Sequence, residues 1–400
     1  MRLNSNKIIS GLMILIYSIW VIIPRIYYSI SVVYIITILC ILLLLLCIKN
    51  RNLITAVAYI SFGAIFLALM YFFIAYPLDI KHSILVIMEQ LMMFIPMILV
   101  YNAFENYTRK EIFFCVALIA VLELYVGIST YSELKSNPMI ARMLTSGESK
   151  ESKDISYRLA NIGGYGSIYS FIFFYMSGLV TVFSKKNISI KIVSIVICIF
   201  SFLFLMKAQF GTAIMLLILS TGFVFFSKIN SFKFKVIVIF LGFIGIFMLP
   251  ILLNILANYA GIGILNERLT AISEFLINKS TDDVDLVLRQ ELLKEGFFIF
   301  FQSPIWGQKI SINGIKVINL YSHSSYLDLA CATGIIGLGI YLKTWSFINK
   351  KICKFLYKNK KIYRYGYLIF FILGMINPNW AVYQINVIAF LYFPLVLYLL

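Results

Sequence analysis

The sequence predicts an all-α polytopic membrane protein of about 12 transmembrane helices with a large, partly helical outer loop. Three observations predict it: a very apolar composition, apolar runs of bilayer length, and basic residues clustered between those runs. Of 400 residues, 62% are apolar and 13% charged, and the mean hydropathy is +0.94. A soluble domain is typically about 45–50% apolar and about 25% charged. The composition therefore excludes a soluble enzyme, a disordered tail and a small disulfide scaffold.

A bilayer core takes about 20 apolar residues as a helix. Helices suit lipid because it offers no partners to backbone N–H and C=O groups. The apolar runs place candidate spans at roughly 7–24, 30–48, 53–76, 83–101, 112–131, 162–183, 190–206, 211–227, 234–256, 322–342, 364–377 and 381–399. Met1–Lys7 and the apolar run behind it resemble a signal peptide. No small-residue cleavage site follows, only Pro24-Arg25, so the segment reads as an uncleaved first helix. The chain then divides into spans one to nine over 1–256, a large outer loop over 257–321, and spans ten to twelve over 322–400.

The formal charge is +17, but the basic residues form no single domain of the kind that binds nucleic acid. They punctuate the spans instead. With the N-terminus inside, 20 of the 34 basic residues fall in inner loops, opposed only by Glu105 and Glu111. The cluster after span ten alone holds Lys343, Lys350, Lys351, Lys354, Lys358, Lys360, Lys361 and Arg364. Short outer loops carry only Arg25, Lys81 and Lys207. This positive-inside bias puts both termini in the cytoplasm. The six cysteines, at 40, 47, 115, 198, 331 and 353, show no zinc-finger spacing and none lies in a long polar loop. Neither a disulfide framework nor a structural metal is expected.

Two outer segments, 132–161 and 257–321, hold most of the polar sequence. The second is too long for a bare connector and should contain structure. Ser280-Thr281-Asp282-Asp283 has the character of a helix start. Val284, Val287, Leu288 and Leu292 recur at helical spacing. An amphipathic helix near the outer surface is expected over 282–301, ended by a turn at Pro304 and Gly307.

No phosphate-binding Gly-rich loop, HExxH or GxSxG is present, and the two histidines exclude a multi-His metal site. His323 lies in "NLYSHSSYLDLACATGIIGLGIYL", where the outer loop meets span ten. On a helix it would share a face with Tyr326, and Gly334, Gly337 and Gly339 would let another helix approach. A histidine at a membrane mouth can move a proton near neutral pH; it can equally be a polar cap. His82, in a short loop, is better read as an ordinary loop residue. Arg289 follows Asp285 by four residues, which fits either a surface ion pair or a guanidinium clamp on phosphate. Arg268 sits just beyond span nine, where it could hold an anion or snorkel. Arg158 precedes "LANIGGYGSIY", whose glycines admit a ligand or pack helices. Lys207, a lone outer basic residue, runs against the inside trend. Glu89, Glu123 and Asp328 lie within spans; intramembrane carboxylates are costly and keep a transporter in view.

The large outer loop ends in P-x-x-G at Pro304–Gly307, with Arg289 at the start of the preceding helix in "LVLRQELLKEGFFIFFQSPIWG". It closes with His-Ser-Ser-Tyr-Leu at 323–327 and G-I-I-G at 334–337. This pattern over about 265–340 resembles the O-antigen ligase and Wzy-type polymerase superfamily, bacterial inner-membrane glycosyltransferases with a GT-C-like helical fold. Two positions depart from it: Ser324 replaces the family's Asn after the His, and "KAQFGTAIML" lacks its Ser-Arg at about 209. The resemblance implies transfer of a glycan from undecaprenyl diphosphate at the outer face. The acceptor would be the sugar of another lipid-linked repeat unit in a polymerase, or a lipid A core or other surface acceptor in a ligase. His323 would serve the acceptor hydroxyl. Arg268 and Arg289, backed by Arg158 and Lys207, would hold the diphosphate, with Tyr326 at the substrate. No cofactor or metal would be required. Partners would be the undecaprenyl-diphosphate-linked oligosaccharide and membrane lipid, with a chain-length regulator and a flippase as companions, and no nucleic acid. The competing class is a transporter or flippase, whose polar residues would sit at midplane in broken helices.

Overall fold

The computed structural model describes residues 5–137, 140–146, 156–184, 187–229, 284–309, 311–312, 315–316, 324–379 and 382–400, with isolated positions between 251 and 277. In chain order the helices are α1 Ser5–Ile22, α2 Pro24–Ser29, α3 Val32–Lys49, α4 Arg51–Met70, α5 Ile80–Asn106, α6 Arg109–Ser136, α7 Ile140–Ser146, α8 Tyr165–Ser184, α9 Ile188–Ala208, α10 Gly211–Lys228 and α11 Val284–Gln302. A two-residue antiparallel ladder follows, β1 Ser311–Ile312 with β2 Ile315–Lys316. Then come α12 Ser325–Phe355, α13 Lys360–Ile376, α14 Tyr383–Val387 and α15 Phe393–Leu399. Single π turns extend α4 over Tyr71–Ala75 and join α14 to α15 over Ile388–Tyr392.

Among the described residues, 8 helices are long and apolar enough to cross a membrane. The chain is thus an all-helical, multi-pass membrane protein. Val32–Ile48 and Tyr383–Leu399 are apolar but shorter, and α13 has 17 residues. The span expected at 234–256 lies outside the described residues.

Local chemistry sets the helix starts. The Asn50 side chain caps α4 by accepting from Asn52 N and Leu53 N. Thr108 and Glu111 form a reciprocal capping box on α6, and Asn187 caps α9. Pro24 breaks the chain between α1 and α2. Side chains sort by environment. Met13, Ile14, Tyr17 and Trp20 of α1 turn inward, whereas Ile8, Leu12 and Leu15 remain exposed. α5 and α8 are enclosed by their neighbours, while α6 and α9 keep most of their surface outside. Phe62, Phe73, Phe114, Val121, Val196 and Ile218 form part of a broad exposed apolar belt, which water would not tolerate and lipid does.

Several helices outrun their hydropathy. α12 continues through Lys343, Lys350, Lys351 and Lys354 to Phe355, well past the expected end at 342. A basic residue marks a membrane edge without breaking a helix, since it carries good helix propensity and a stem that snorkels. A helix is found in the expected 282–301 region as α11, but its apolar residues do not form one buried face, since Val287 and Leu288 are exposed; a turn at 303–306 ends it.

That turn locks into α12. Gly334 interrupts α12 with φ 63 and ψ −170. The freed backbone groups are taken up by the turn: Ile335 N donates to Pro304 O at 2.8 Å and Gln308 N donates to Cys331 O at 2.9 Å. Gly307, also at positive φ (+78), lies against the Ala332 carbonyl. Both positions need glycine because the two backbones touch where any Cβ would stand. Gly334 therefore receives a loop rather than the expected second helix. Gly337 does face a helix neighbour, Met70, and a Cβ on Gly339 would meet nothing within 4 Å.

Candidate functional site

Five elements meet beside the start of α12. The first turn of α8 presents Tyr165 and Tyr169, four apart on one face, with ring centroids 4.5 Å apart. The turn after α9 brings Phe210 edge-on to Tyr169 at 6.1 Å. α13 ends at Asn377, whose backbone N–H returns to Leu373 O at 2.7 Å. Its side chain then links two other helices. The Asn377 amide donates to Tyr169 Oη at 3.1 Å, and Asn377 Oδ1 accepts from Arg289 Nη1 of α11 at 3.4 Å. Two residues on, Asn379 N donates to Ser325 Oγ at 2.9 Å and Asn379 Nδ2 to Phe370 O at 3.0 Å. The bulk of Asn379 fits because Gly374 opposite it has no side chain.

The group is buried yet incompletely paired. Asn377, Asn379, Tyr169 and Tyr326 are all buried. Tyr326 and Asn379 are joined by a side-chain hydrogen bond, whereas Tyr165 Oη has no hydrogen-bond partner in the protein. Buried polar atoms are almost always satisfied, and each exception calls for a reason. Here the hydroxyl lies beside a hydrogen-bonded chain that ends in a guanidinium within electrostatic reach of Tyr165. The arrangement can hold a polar, anionic ligand: Arg289 supplies charge, and the tyrosines and Asn379 supply directed hydrogen bonds.

The expected site residues separate. Arg289 and Tyr326 are brought to this group, both through the 377–379 segment. Arg289 reaches Asn377; the side chain of Asp285, its expected ion-pair partner, lies outside the described residues. Tyr326 stacks on Phe371, ring centroids 5.2 Å apart. Lys207 sits in the last turn of α9, three residues before Phe210, where a cation also suits the helix dipole. Gln209, at φ +58, ends that helix. Arg158 belongs to a neighbouring group: its guanidinium lies 3.7 Å from the centroid of Tyr28, a cation–π contact. Arg268 and His323 lie outside the described residues. α12 begins at Ser325 with Ser324 as its cap, the Ser324 side chain accepting from Leu327 N. The face expected to be shared by His323 and Tyr326 lies in part outside the described residues.

Of the three carboxylates read as intramembrane, Asp328 occupies the first turn of α12, where the helix dipole favours an acid. Glu123 is fully buried and bonded to Ser170. Glu89 is half-buried. Sequence reasoning missed Asn377, Asn379, Ser325, Tyr165 and Tyr169. The signal for the first two was present: "NPN" places two amides in a short break between strongly apolar segments. The tyrosines carried none, because they stand in an aromatic-rich helix.

Comparison of the chain with models of known protein families, with curated proteins and with solved structures returns no match.

Proposed function

We propose that the chain is a metal-independent glycosyltransferase of the bacterial cytoplasmic membrane. It lengthens a glycan on its lipid carrier by moving the growing chain from undecaprenyl diphosphate to the sugar of another lipid-linked repeat unit. The observation that carries this is Arg289, tied through Asn377 to Tyr169 beside the buried Tyr165 hydroxyl, which lacks a protein partner. In the reaction the acceptor hydroxyl oxygen attacks the anomeric carbon. The bond from that carbon to the phosphate oxygen breaks, and the diphosphate leaves with the electron pair. Arg289, with Arg268, stabilises the charge developing there. His323, two residues before Ser325, receives the hydroxyl proton. Both termini face the cytoplasm and the Arg289 end faces outward.

A transporter is the second reading, favoured by Glu123, a carboxylate buried in the bundle beside Ser170. Glycan length on the carrier in cells lacking the protein decides among the classes. Single repeat units on the carrier, translocated normally, are expected of a polymerase. Long carrier-linked chains that never reach an acceptor identify a ligase. Repeat units trapped on the cytoplasmic face identify a transporter. General-base assistance is worth about 10²–10⁴-fold in rate, so His323→Ala is expected to remove most polymer at wild-type protein level. Normal chain length in that variant excludes the histidine from the step.

A further inference from the structure

A cavity with polar residues in its lining lies at the end of the bundle where the basic loops gather. It occupies about 250 Å³ between α12 and α13. α12 contributes Ser346, Asn349 and Lys350, and α13 contributes Lys360, Tyr363 and Arg364. These spacings put each set on one helical face. Tyr363 Oη donates to Asn349 Oδ1, tying the two helices together. The Asn349 side chain, only 7% exposed, also hydrogen-bonds Tyr367, which lines the same cavity, and its amide nitrogen carries a second N–H.

The charge pattern around this cavity is unfavourable without a ligand. Lys360 and Arg364 are four apart on α13, where like charges repel. Lys360 also stands in the first turn of its helix, which contains no acid and whose dipole disfavours a cation. Asn359, the N-cap, directs its side chain to Leu397 O instead of to the free N–H groups of α13. Lys350 adds a third cation from the facing helix. No Asp or Glu stands among the described residues that line the cavity. Three cations, a helix N-terminus and a buried amide with an N–H to spare all call for the same thing: a compact anion with several acceptor oxygens.

We propose that this cavity is a binding site for a phosphate group, supplied by the headgroup of an anionic phospholipid in the adjoining leaflet. The phosphate oxygens accept from Asn349, Lys350 and Lys360 and from the Arg364 guanidinium. The acyl chains run along the exposed apolar surface of the same helices, where Leu342 and Leu368 stand free. The site is remote in sequence from Arg289 and holds whatever reaction that end carries out.

The test is thermal unfolding of the full chain in uncharged detergent, titrated separately with short-chain phosphatidylglycerol, phosphatidylcholine and inorganic phosphate. Phosphatidylglycerol is expected to raise the unfolding midpoint, and phosphatidylcholine to leave it unchanged. The triple variant Lys350→Gln, Lys360→Gln, Arg364→Gln is expected to need at least about tenfold more phosphatidylglycerol for the same shift, since each basic residue near a charged headgroup contributes several-fold. Asn349→Leu, which leaves every charge in place, is expected to weaken the response as well and serves if the triple variant does not accumulate. The control Lys354→Gln, Lys358→Gln removes charge outside the cavity and is expected to respond as wild type. An equal shift with inorganic phosphate alone, lost in the triple variant, keeps the phosphate site and assigns it to a soluble ligand. A response lost equally in the control, or no response to any phosphate compound, overturns the proposal.

Discussion

The Lys7 end and the Arg289 end of the bundle are built from the same residue types and finished in opposite ways. At the Lys7 end, Lys7 pairs with Glu111 at 2.9 Å, Tyr107 Oη donates to Lys7 O, and Asn50 and Asn52 reach Glu105. Lys351 lies over Tyr101 and Phe347. These contacts join loops that the charge bias assigns to one side, and they are largely open to solvent. At the Arg289 end most polar groups are buried, and Tyr165 keeps a hydroxyl without a protein partner. The polar groups named at the first end are paired by the protein itself. At the second they are held in place, at some cost in stability, with bonding capacity left over. Such surplus is expected of a surface that receives substrate.

Four substitutions sharpen or break this contrast. The largest effect is expected at Gly334. A Cβ there would lie 2.1 Å from Ile305 O, at a φ that L residues avoid; such a conformation alone costs about 1–3 kcal/mol. Gly334→Ala is expected to lower the amount of protein in isolated membranes severely. Wild-type accumulation would show that the turn and α12 do not interlock. Next comes Arg289→Lys, which keeps the charge but loses the planar fork. Polymer formation at normal protein level is expected to drop by about 10²-fold, in the range for losing one donor to a developing anion. Full activity would make the Arg289 end as passive as the other.

Asn377→Ala is expected to have a smaller effect, about tenfold on activity, because it removes the group that positions Arg289 and leaves the arginine present. It also leaves Tyr169 Oη without that donor, and a broken buried hydrogen bond costs about 1–3 kcal/mol. Since Asn377 acts through Arg289, its loss is expected to add little to Arg289→Lys in a double-mutant comparison; fully additive losses would separate the two. The smallest effect is expected at Lys7→Ala. A partly exposed ion pair contributes about 0–1 kcal/mol, so chain length and thermal midpoint are expected to stay near wild type. A large loss there would erase the distinction between the two ends.

Much of the architecture was legible because hydropathy and charge are read locally. α11 is described from Val284 and ends one residue beyond its expected end. The turn at Pro304–Gly307 falls where the proline and glycine put it. The ends of α12 were misjudged because lysine edges the membrane without ending a helix. The site was less legible for a different reason. Asn377, Tyr169 and Arg289 are joined across 88 and 208 residues of chain, and no spacing within one segment encodes such a meeting. Gly307 and Gly334 illustrate the same limit. Each was visible as a glycine in a motif, but their mutual contact is a property of two backbones.

That contact has a bearing on how the chain is made. Synthesis runs from the N-terminus and early segments fold first, so the turn at Pro304–Gly307 leaves the ribosome before Gly334 does. An interrupted helix entering hydrocarbon would expose unpaired amide and carbonyl groups, each costing several kcal/mol. Here the cover for the interruption already exists when the interruption is synthesised. α12 is thus completed against a turn made a few dozen residues ahead of it, which is in place before α12 enters the bilayer.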